Sequence, residues 1–334
     1  MTPRSVRIAA FLEAAGWGGA RRAPLAGDAS ARCYLRLIDG ARRAVLMDAP
    51  PDQGEDVRPF MDVTAILRAR GLSAPEILAA DAEAGLLLLE DLGDRLFAAV
   101  CAAAPREEPQ LYAAAVDLLA AHAEPAPDGL PAYDWPTLLR EARLATDWYQ
   151  AALQPLSADL CAAYEACLAE ALAGIADCRT ALVLRDYHAE NLIWLPGRAG
   201  DARVGLLDYQ DALAGHPAYD LVSLLEDARR DTSAELRATM IERYLAARPE
   251  LDREAFAAAY AALGAQRNLK IVGIFARLAL RDGKSRYLAL IPRVWDHLMR
   301  DLTHPRLAQL ARLVEERISP PTPQALARIA DRVP

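Results

Sequence analysis

Leu184-Arg185-Asp186-Tyr187-His188-Ala189-Glu190-Asn191, followed by Leu206-Leu207-Asp208-Tyr209-Gln210-Asp211, is the stretch that decides how this chain is read. An Asp and an Asn five positions apart, then an Asp closing an apolar run, supply the groups that phosphoryl transfer needs. One carboxylate orients the attacking hydroxyl and accepts its proton. An amide oxygen and a second carboxylate hold the magnesium that shields the phosphate charge. On this reading Asp186 is the catalytic base, and Asn191 and Asp208 are the metal ligands. Val183-Leu184 and Val204-Gly205-Leu206-Leu207 read as short buried strands, which delivers all three polar groups at strand ends.

Working outward, the segment up to residue 90 is rich in strands. After an amphipathic helix pattern (Val6, Ile8, Phe11, Leu12), Cys33–Ile38 and Ala44–Met47 flank Gly40 as a hairpin. Asp56–Arg70 carries helical spacing and stops at Gly71. Pro75–Leu78 and Gly85–Leu89 read as two more strands. From Leu96 onward the pattern is nearly all helical, interrupted only by the stretch quoted above. Glu90-Asp91-Leu92-Gly93-Asp94 lies where the two styles meet, and Gly93 marks a flexible joint. The expected fold class is α+β, with a small β-rich N-lobe at 1–93 and a larger, mainly helical C-lobe at 94–334 that carries the catalytic hairpin.

Composition narrows the function classes. The chain has 334 residues and a net charge of −8, so as a whole it is not built to sit on nucleic acid. Its start lacks the apolar region of a secretory signal. No uninterrupted apolar run reaches the roughly 18 residues that a membrane span needs. Five cysteines without C-x-x-C spacing indicate neither a zinc site nor a disulfide frame, and Cys161 and Cys167 read as small buried hydrophobes. A cytoplasmic protein with no obligate protein partner is expected.

These residues resemble the aminoglycoside phosphotransferase and choline kinase relatives of protein kinases. Asp186, His188 and Asn191 match the D-x-H-x-x-N loop of that family, and Asp208 through Leu221 looks like its metal Asp followed by a Gly and a helix Asp. Gly27–Tyr34, Met47–Pro51, Leu89–Gly93 and Gln266–Lys270 add a likeness to bacterial cell-wall amino-sugar kinases. Those enzymes phosphorylate N-acetylmuramate and N-acetylglucosamine at the anomeric hydroxyl. The resemblance implies a protein-kinase-like two-lobe fold, ATP and Mg2+ as cofactors, and a sugar as acceptor in peptidoglycan recycling.

The chain departs from the kinase pattern in two places. No lysine precedes Lys270, so Met47 or Asp48 occupies the place of the usual strand lysine, and there is no G-x-G-x-x-G loop. Gly27–Ala31 offers small side chains that let backbone N–H groups approach a phosphate, with the Ser30 hydroxyl as an extra donor. Arg32, Arg36 and Arg43 are candidates for the missing charge; Arg32 is preferred because it shares the turn with Ser30. The backbone of Glu90, Asp91 and Leu92 is expected against the adenine.

Other polar residues carry competing readings. His188 is either a base or a loop histidine that fixes the turn. Asp220 either caps a helix or ties down the catalytic loop. Asp211 is a candidate for a substrate hydroxyl, a second metal or a plain turn, and Tyr187 and Tyr209 either stack on a sugar or fill the core. From Ala265 to Arg312 there are ten Lys or Arg against three Asp. That surplus favours an anionic sugar over a polycationic aminoglycoside. Arg267 and Lys270, three apart on one helix face, are the expected substrate contacts together with His188 and Asp211. The rival readings are an aminoglycoside or amino-alcohol kinase and a catalytically dead nucleotide-binding regulator.

Overall fold

The hairpin read around Gly40 is the centre of a five-stranded antiparallel sheet, in a computed structural model that describes residues 4–25, 31–122 and 125–334. The strands are β1 (Arg21–Leu25), β2 (Cys33–Asp39), β3 (Arg42–Asp48), β4 (Ile77–Asp81) and β5 (Leu86–Glu90), in the order β1-β2-β3-β5-β4. Tyr34 pairs with Met47 and Met47 with Leu87, so one register runs across the sheet. Helix α1 (Arg4–Ala14) turns Ile8 and Leu12, one turn apart, into a core with Trp17, Leu37, Leu46, Leu86 and Leu88. β5 reads as an unbroken apolar run because Leu86 to Leu89 are all buried, which requires both sheet faces to be covered. Helix α2 (Arg58–Ala69) buries Phe60, Val63, Thr64 and Leu67. Gly85 enters β5 with φ of 65°, and a Cβ there would stand 2.0 Å from the Ala49 carbonyl oxygen, so only glycine fits.

The chain forms two compact units: Met1–Ala114 with Glu190–Asp211, and Ala115–Ala189 with Ala212–Pro334. The boundary expected after Gly93 thus falls inside the first unit. The reason lies in a hairpin of β7 (Leu192–Trp194) and β8 (Val204–Leu206) that is fastened to the N-terminal part, numbered after β6 (Ala181–Val183) of the second unit. Leu206 N–H donates to the Ser73 carbonyl (2.9 Å), Trp194 N–H to the Arg95 carbonyl (2.8 Å), and the Ser73 hydroxyl to the Ala202 carbonyl (2.6 Å). Phe97 meets Trp194 edge-on with 6.2 Å between ring centroids.

In the second unit β6 pairs with β9 (Leu213–Gly215). The rest is helical and built along Arg253–Asp282, a helix of 30 residues and about 45 Å. Asp252 caps its start by accepting from Ala255 N–H (2.7 Å), and Gly283 ends it at φ 69°. The helix buries nearly everything from Ala259 to Ala279, polar Gln266, Arg267 and Asn268 included. Arg267 is only 4% exposed, so the solvent-facing basic surface expected there is corrected at that position: it lies in the enclosed middle of the helix, whereas Arg253 and Arg281 near its ends are exposed. Cys161 and Cys167 are half-buried rather than buried, because their helix (Ala158–Ala171) points Leu160, Tyr164 and Leu168 to the core. None of the five cysteines is in a disulfide. Among the described residues no helix is long and apolar enough to cross a membrane.

Candidate active site

Asp186 belongs to the second unit, where it sits three residues past the end of β6 on a loop held from behind by the helix Ala218–Leu225. Asp220 on that helix accepts from Leu184 N–H (2.7 Å) and Arg185 N–H (2.8 Å), and Ser223 donates to the Arg185 carbonyl (3.0 Å). Of the two readings of Asp220, the loop tie is the one observed; the helix start has no side-chain cap. Burial pushes Asp220 up to about 7, against the pull of those two N–H groups. Arg267 braces the same corner, donating to Ser223 Oγ (2.9 Å) and the Glu226 carbonyl (3.3 Å). Arg185 is held at φ 70°, a conformation that costs a side-chain-bearing residue about 1–3 kcal/mol and persists where its surroundings enforce it.

Burial alone would raise the pKa of Asp186. The charges of Lys270, His188, Arg185 and Arg267 outweigh it, Lys270 most, and hold the carboxyl below its ordinary value. It is therefore ionised at neutral pH. Lys270 is itself anchored by a residue the sequence reading did not single out. Glu141, buried on the helix Trp135–Ala142, takes Lys270 Nζ at 3.1 Å, the Arg185 guanidinium, and the Tyr133 hydroxyl. The Tyr133 and Tyr219 hydroxyls lie 3.0 Å apart in the same network. Nothing in the local sequence separates Glu141 from an ordinary helix carboxylate; only folding brings it to Lys270. His188 is buried, and burial lowers its pKa, so it is neutral beside the Asp227 and Asp186 charges. Tyr187 is a core residue whose hydroxyl bonds the Ala115 carbonyl (2.9 Å).

The first unit holds Asn191, directly before β7, and Asp208, two residues past β8. Asn191 Nδ2 and Asp208 Oδ2 are 3.5 Å apart, and Gln210 Nε2 donates to Asp208 Oδ1 (2.9 Å). Asp208 takes φ 57°; with Arg185 it is one of two side-chain-bearing residues at positive φ among those described. One carboxylate beside one amide fits magnesium, a hard cation that takes few protein ligands and completes its shell with phosphate oxygens and water. No group of three His, Cys, Asp or Glu side chains suited to a metal occurs among the described residues. Tyr209 stacks on Phe60 at 5.0 Å and bonds Thr64 (2.7 Å), so it is a core residue. Asp211 is exposed at the end of the same loop.

Arg32 stands in this unit too. Its Nε donates to Glu55 Oε2 (2.6 Å), and Glu55 also accepts from Ala31 N–H (3.2 Å). Tyr34 is raised first by its burial; it is hydrogen-bonded to Arg32 and feels the charges of Arg32, Asp208 and Glu55. Ser30, the other expected phosphate contact, lies outside the described residues. Arg36 is taken by Asp91 (2.7 Å) and Asp94 (2.7 Å), so it clamps the joint. Arg43 is exposed, and Asp48 bonds Arg4. At the joint Glu90 pairs with Arg198, Asp91 Oδ1 also accepts from Gly93 N–H (2.9 Å), and Leu92 is buried.

Residues 21–257 match the family model described as "Phosphotransferase enzyme family". The N-acetylmuramate/N-acetylglucosamine kinase of Caulobacter vibrioides is 47% identical, over 92% of this chain and 94% of its own. That of Pseudomonas aeruginosa is 36% identical, over 90% of each. The crystal structure of a choline kinase from Streptococcus pneumoniae superposes with a TM-score of 0.64 at 13% identity, over 88% of this chain and 98% of its own. The fold is kinase-like.

Proposed function

The chain belongs to the phosphotransferase enzyme family, and from that premise we propose that it is a sugar kinase that moves the γ-phosphoryl group of ATP to the anomeric hydroxyl of N-acetylmuramate or N-acetylglucosamine. The observation that carries the reading is the loop carboxylate Asp186, kept ionised by Lys270 and Arg185 and followed five residues on by Asn191, whose partner is Asp208. The kinases of Caulobacter vibrioides and Pseudomonas aeruginosa, related over nine-tenths of the chain, support the choice of sugar.

In this mechanism Asp186 accepts a hydrogen bond from the acceptor hydroxyl, fixes its line of attack and takes its proton. The loop ties through Asp220, Ser223 and Arg267 prevent the carboxylate from wandering, and positioning supplies much of the rate in a loose phosphoryl transfer. Asn191 and Asp208 would hold magnesium, which neutralises phosphate charge. Arg32, oriented by Glu55, takes the phosphate-binding part that other kinases give to a strand lysine, assisted by Ser30. The backbone of Glu90, Asp91 and Leu92 lines the adenine. Lys270 is the substrate contact best placed beside Asp186, with His188, Asp211 and Arg267 around it. A kinase consuming ATP belongs in the cytoplasm, and an amino sugar acceptor places it in peptidoglycan recycling.

The test is a transfer assay with labelled ATP over N-acetylmuramate, N-acetylglucosamine and kanamycin, with the product's phosphate located by phosphorus NMR. An anomeric sugar phosphate is expected from both sugars. Kanamycin turnover without sugar turnover would overturn the sugar assignment, and transfer to none would make the chain a nucleotide-binding regulator.

A further inference from the structure

The helix Trp135–Ala142, which lies far from Asp186 in sequence, is fastened within the second unit at both ends. Asp134 caps its start by accepting from Thr137 N–H (3.0 Å). Near its end the Leu138 carbonyl accepts from Gln266 Nε2 (3.0 Å) and the Ala142 carbonyl from the Tyr164 hydroxyl (2.8 Å). Glu141 sits on this last turn and is only 8% exposed. Its carboxylate takes two cations, the Arg185 guanidinium and Lys270 Nζ (3.1 Å), together with the Tyr133 hydroxyl. Burial would raise its pKa; the charges of Lys270 and Arg185 outweigh burial, so the group is ionised. Attraction between buried ions is largely cancelled by the water they give up, so a triad of this kind is a poor source of stability. What it supplies is direction.

The residue it directs stands next to the base. Arg185 holds φ 70°, and its backbone is tied from one helix only: Asp220 accepts its N–H (2.8 Å) and Ser223 donates to its carbonyl (3.0 Å). Its side chain is tied from a different helix by Glu141, and the guanidinium lies over the Tyr133 ring, 5.7 Å from the centroid. A side-chain-bearing residue keeps such a conformation only where its surroundings over-determine it. Beyond it the chain has little freedom left. Asp186 N–H returns to the Leu184 carbonyl (2.9 Å) and His188 N–H to the Asp186 carbonyl (3.1 Å), so the way Arg185 is turned sets where the Asp186 carboxylate points.

We propose that Glu141 is a positioning residue of the phosphoryl transfer: by gripping the Arg185 side chain it holds Arg185 in its left-handed conformation and so fixes the direction of Asp186. The inference rests on the reading of Asp186 as the base and deepens it. The same carboxylate places Lys270, the second cation of the triad.

The experiment measures kcat and both KM values in the wild type, Glu141→Gln, Arg185→Met and the double variant. Glutamine keeps the shape of Glu141 without its charge, and methionine keeps the apolar length of Arg185. Each single variant should lose at least about tenfold in kcat, within the roughly hundredfold that a misplacement of about 1 Å can cost, with the KM for ATP unchanged within about twofold. The double variant should be no worse than Glu141→Gln alone, because residues that act as one unit are not additive. Losses that multiply would place the effect of Glu141 elsewhere and overturn the proposal. So would an unchanged kcat in either single variant, or a fall in kcat matched by a rise in KM for both substrates, the mark of a brace of the fold. If Glu141→Gln fails to fold, Arg185→Met, which leaves Glu141 paired with Lys270, decides by itself. Amide exchange gives a readout that needs no turnover. The Leu184 and Arg185 N–H groups, bonded to Asp220, should exchange at least about tenfold faster in Glu141→Gln, while those of Val272 and Phe275 in the buried middle of the long helix keep their rates. Unchanged rates at Leu184 and Arg185, or equal acceleration at all four, would overturn the proposal. A wild type that phosphorylates neither sugar, or an Asp186→Asn variant with full turnover, strikes the reading of the base alone, because amide exchange still reports the grip of Glu141 on the loop.

Discussion

Asp186 is the residue whose chemistry is most exposed to test. Asp186→Asn is expected to bind nucleotide normally and to lose at least about two orders of magnitude in turnover, the scale of a positioned base; wild-type turnover would end its assignment. Lys270 is the strongest single charge acting on it. Removing that charge in Lys270→Met raises the pKa of Asp186. The carboxylate then protonates at a higher pH, so the acid limb of the kcat/KM profile should move upward, as a pH series would show. An unmoved limb would separate Lys270 from Asp186. In the first unit, Arg32→Ala should raise the KM for ATP and leave that for the sugar almost unchanged. The reason is that its guanidinium is set by Glu55 and bonded to Tyr34, which also feels the charge of Asp208. Steady-state kinetics in each substrate separate the two outcomes.

At the scale of elements, the helix Arg253–Asp282 shows how packing overrides propensity. An exposed helical glycine replaced by alanine gains stability, about 1 kcal/mol. Gly273 reverses the sign, because a Cβ there would lie 2.0 Å from the Leu144 carbonyl carbon and 2.5 Å from Ala145 N. Backbone cannot give way as a side-chain tip does. Gly273→Ala should destabilise by about 1–3 kcal/mol or more, read from the urea midpoint at unchanged slope; a stabilised variant would refute the close approach of the helix to the Leu144–Ala145 backbone, where the π-helical segment Ala145–Gln150 begins. The same helix shows what periodicity misses. Arg267 and Lys270 are three apart as read, but Arg267 braces the Asp186 loop through Ser223 while Lys270 meets Glu141. Spacing fixes which residues share a face, and only neighbouring helices decide whether that face sees solvent.

For the whole molecule, two buried imidazoles set a pH window. His216 is held at about 4 by burial, and His297 at about 4 by burial and then by Arg300. In the unfolded chain both titrate near 6.5. Between these values the unfolded imidazoles bind more protons, so their contribution to stability is full above about pH 6.5 and falls as the pH drops toward 4, while Asp220, Glu226 and Asp301, raised by burial, contribute in the opposite sense. The combined loss from the two imidazoles is on the order of a few kcal/mol. The measurement is therefore the difference between wild type and His216→Gln: the variant should gain on the wild type in urea midpoint as the pH falls from 7 to 4.5, and a constant difference would mean that the His216 imidazole is not buried neutral.

The sequence by itself determined the chemistry and most of the local structure. Asp186, Asn191 and Asp208 announce phosphoryl transfer through residue type and spacing. Alternation and glycine placement gave the β2–β3 hairpin, and the helical remainder followed from period and caps, because these are interactions between near neighbours in the chain. What lies far apart in sequence waited for tertiary structure. The hairpin β7–β8 joins the N-terminal unit because Ser73 and Arg95 pair with its edges from far along the chain. Glu141 looks like any helix carboxylate until folding sets it against Lys270 and Arg185. Charge and hydrogen bonding act through space, and the strength of each partnership depends on burial, which no single stretch of sequence contains.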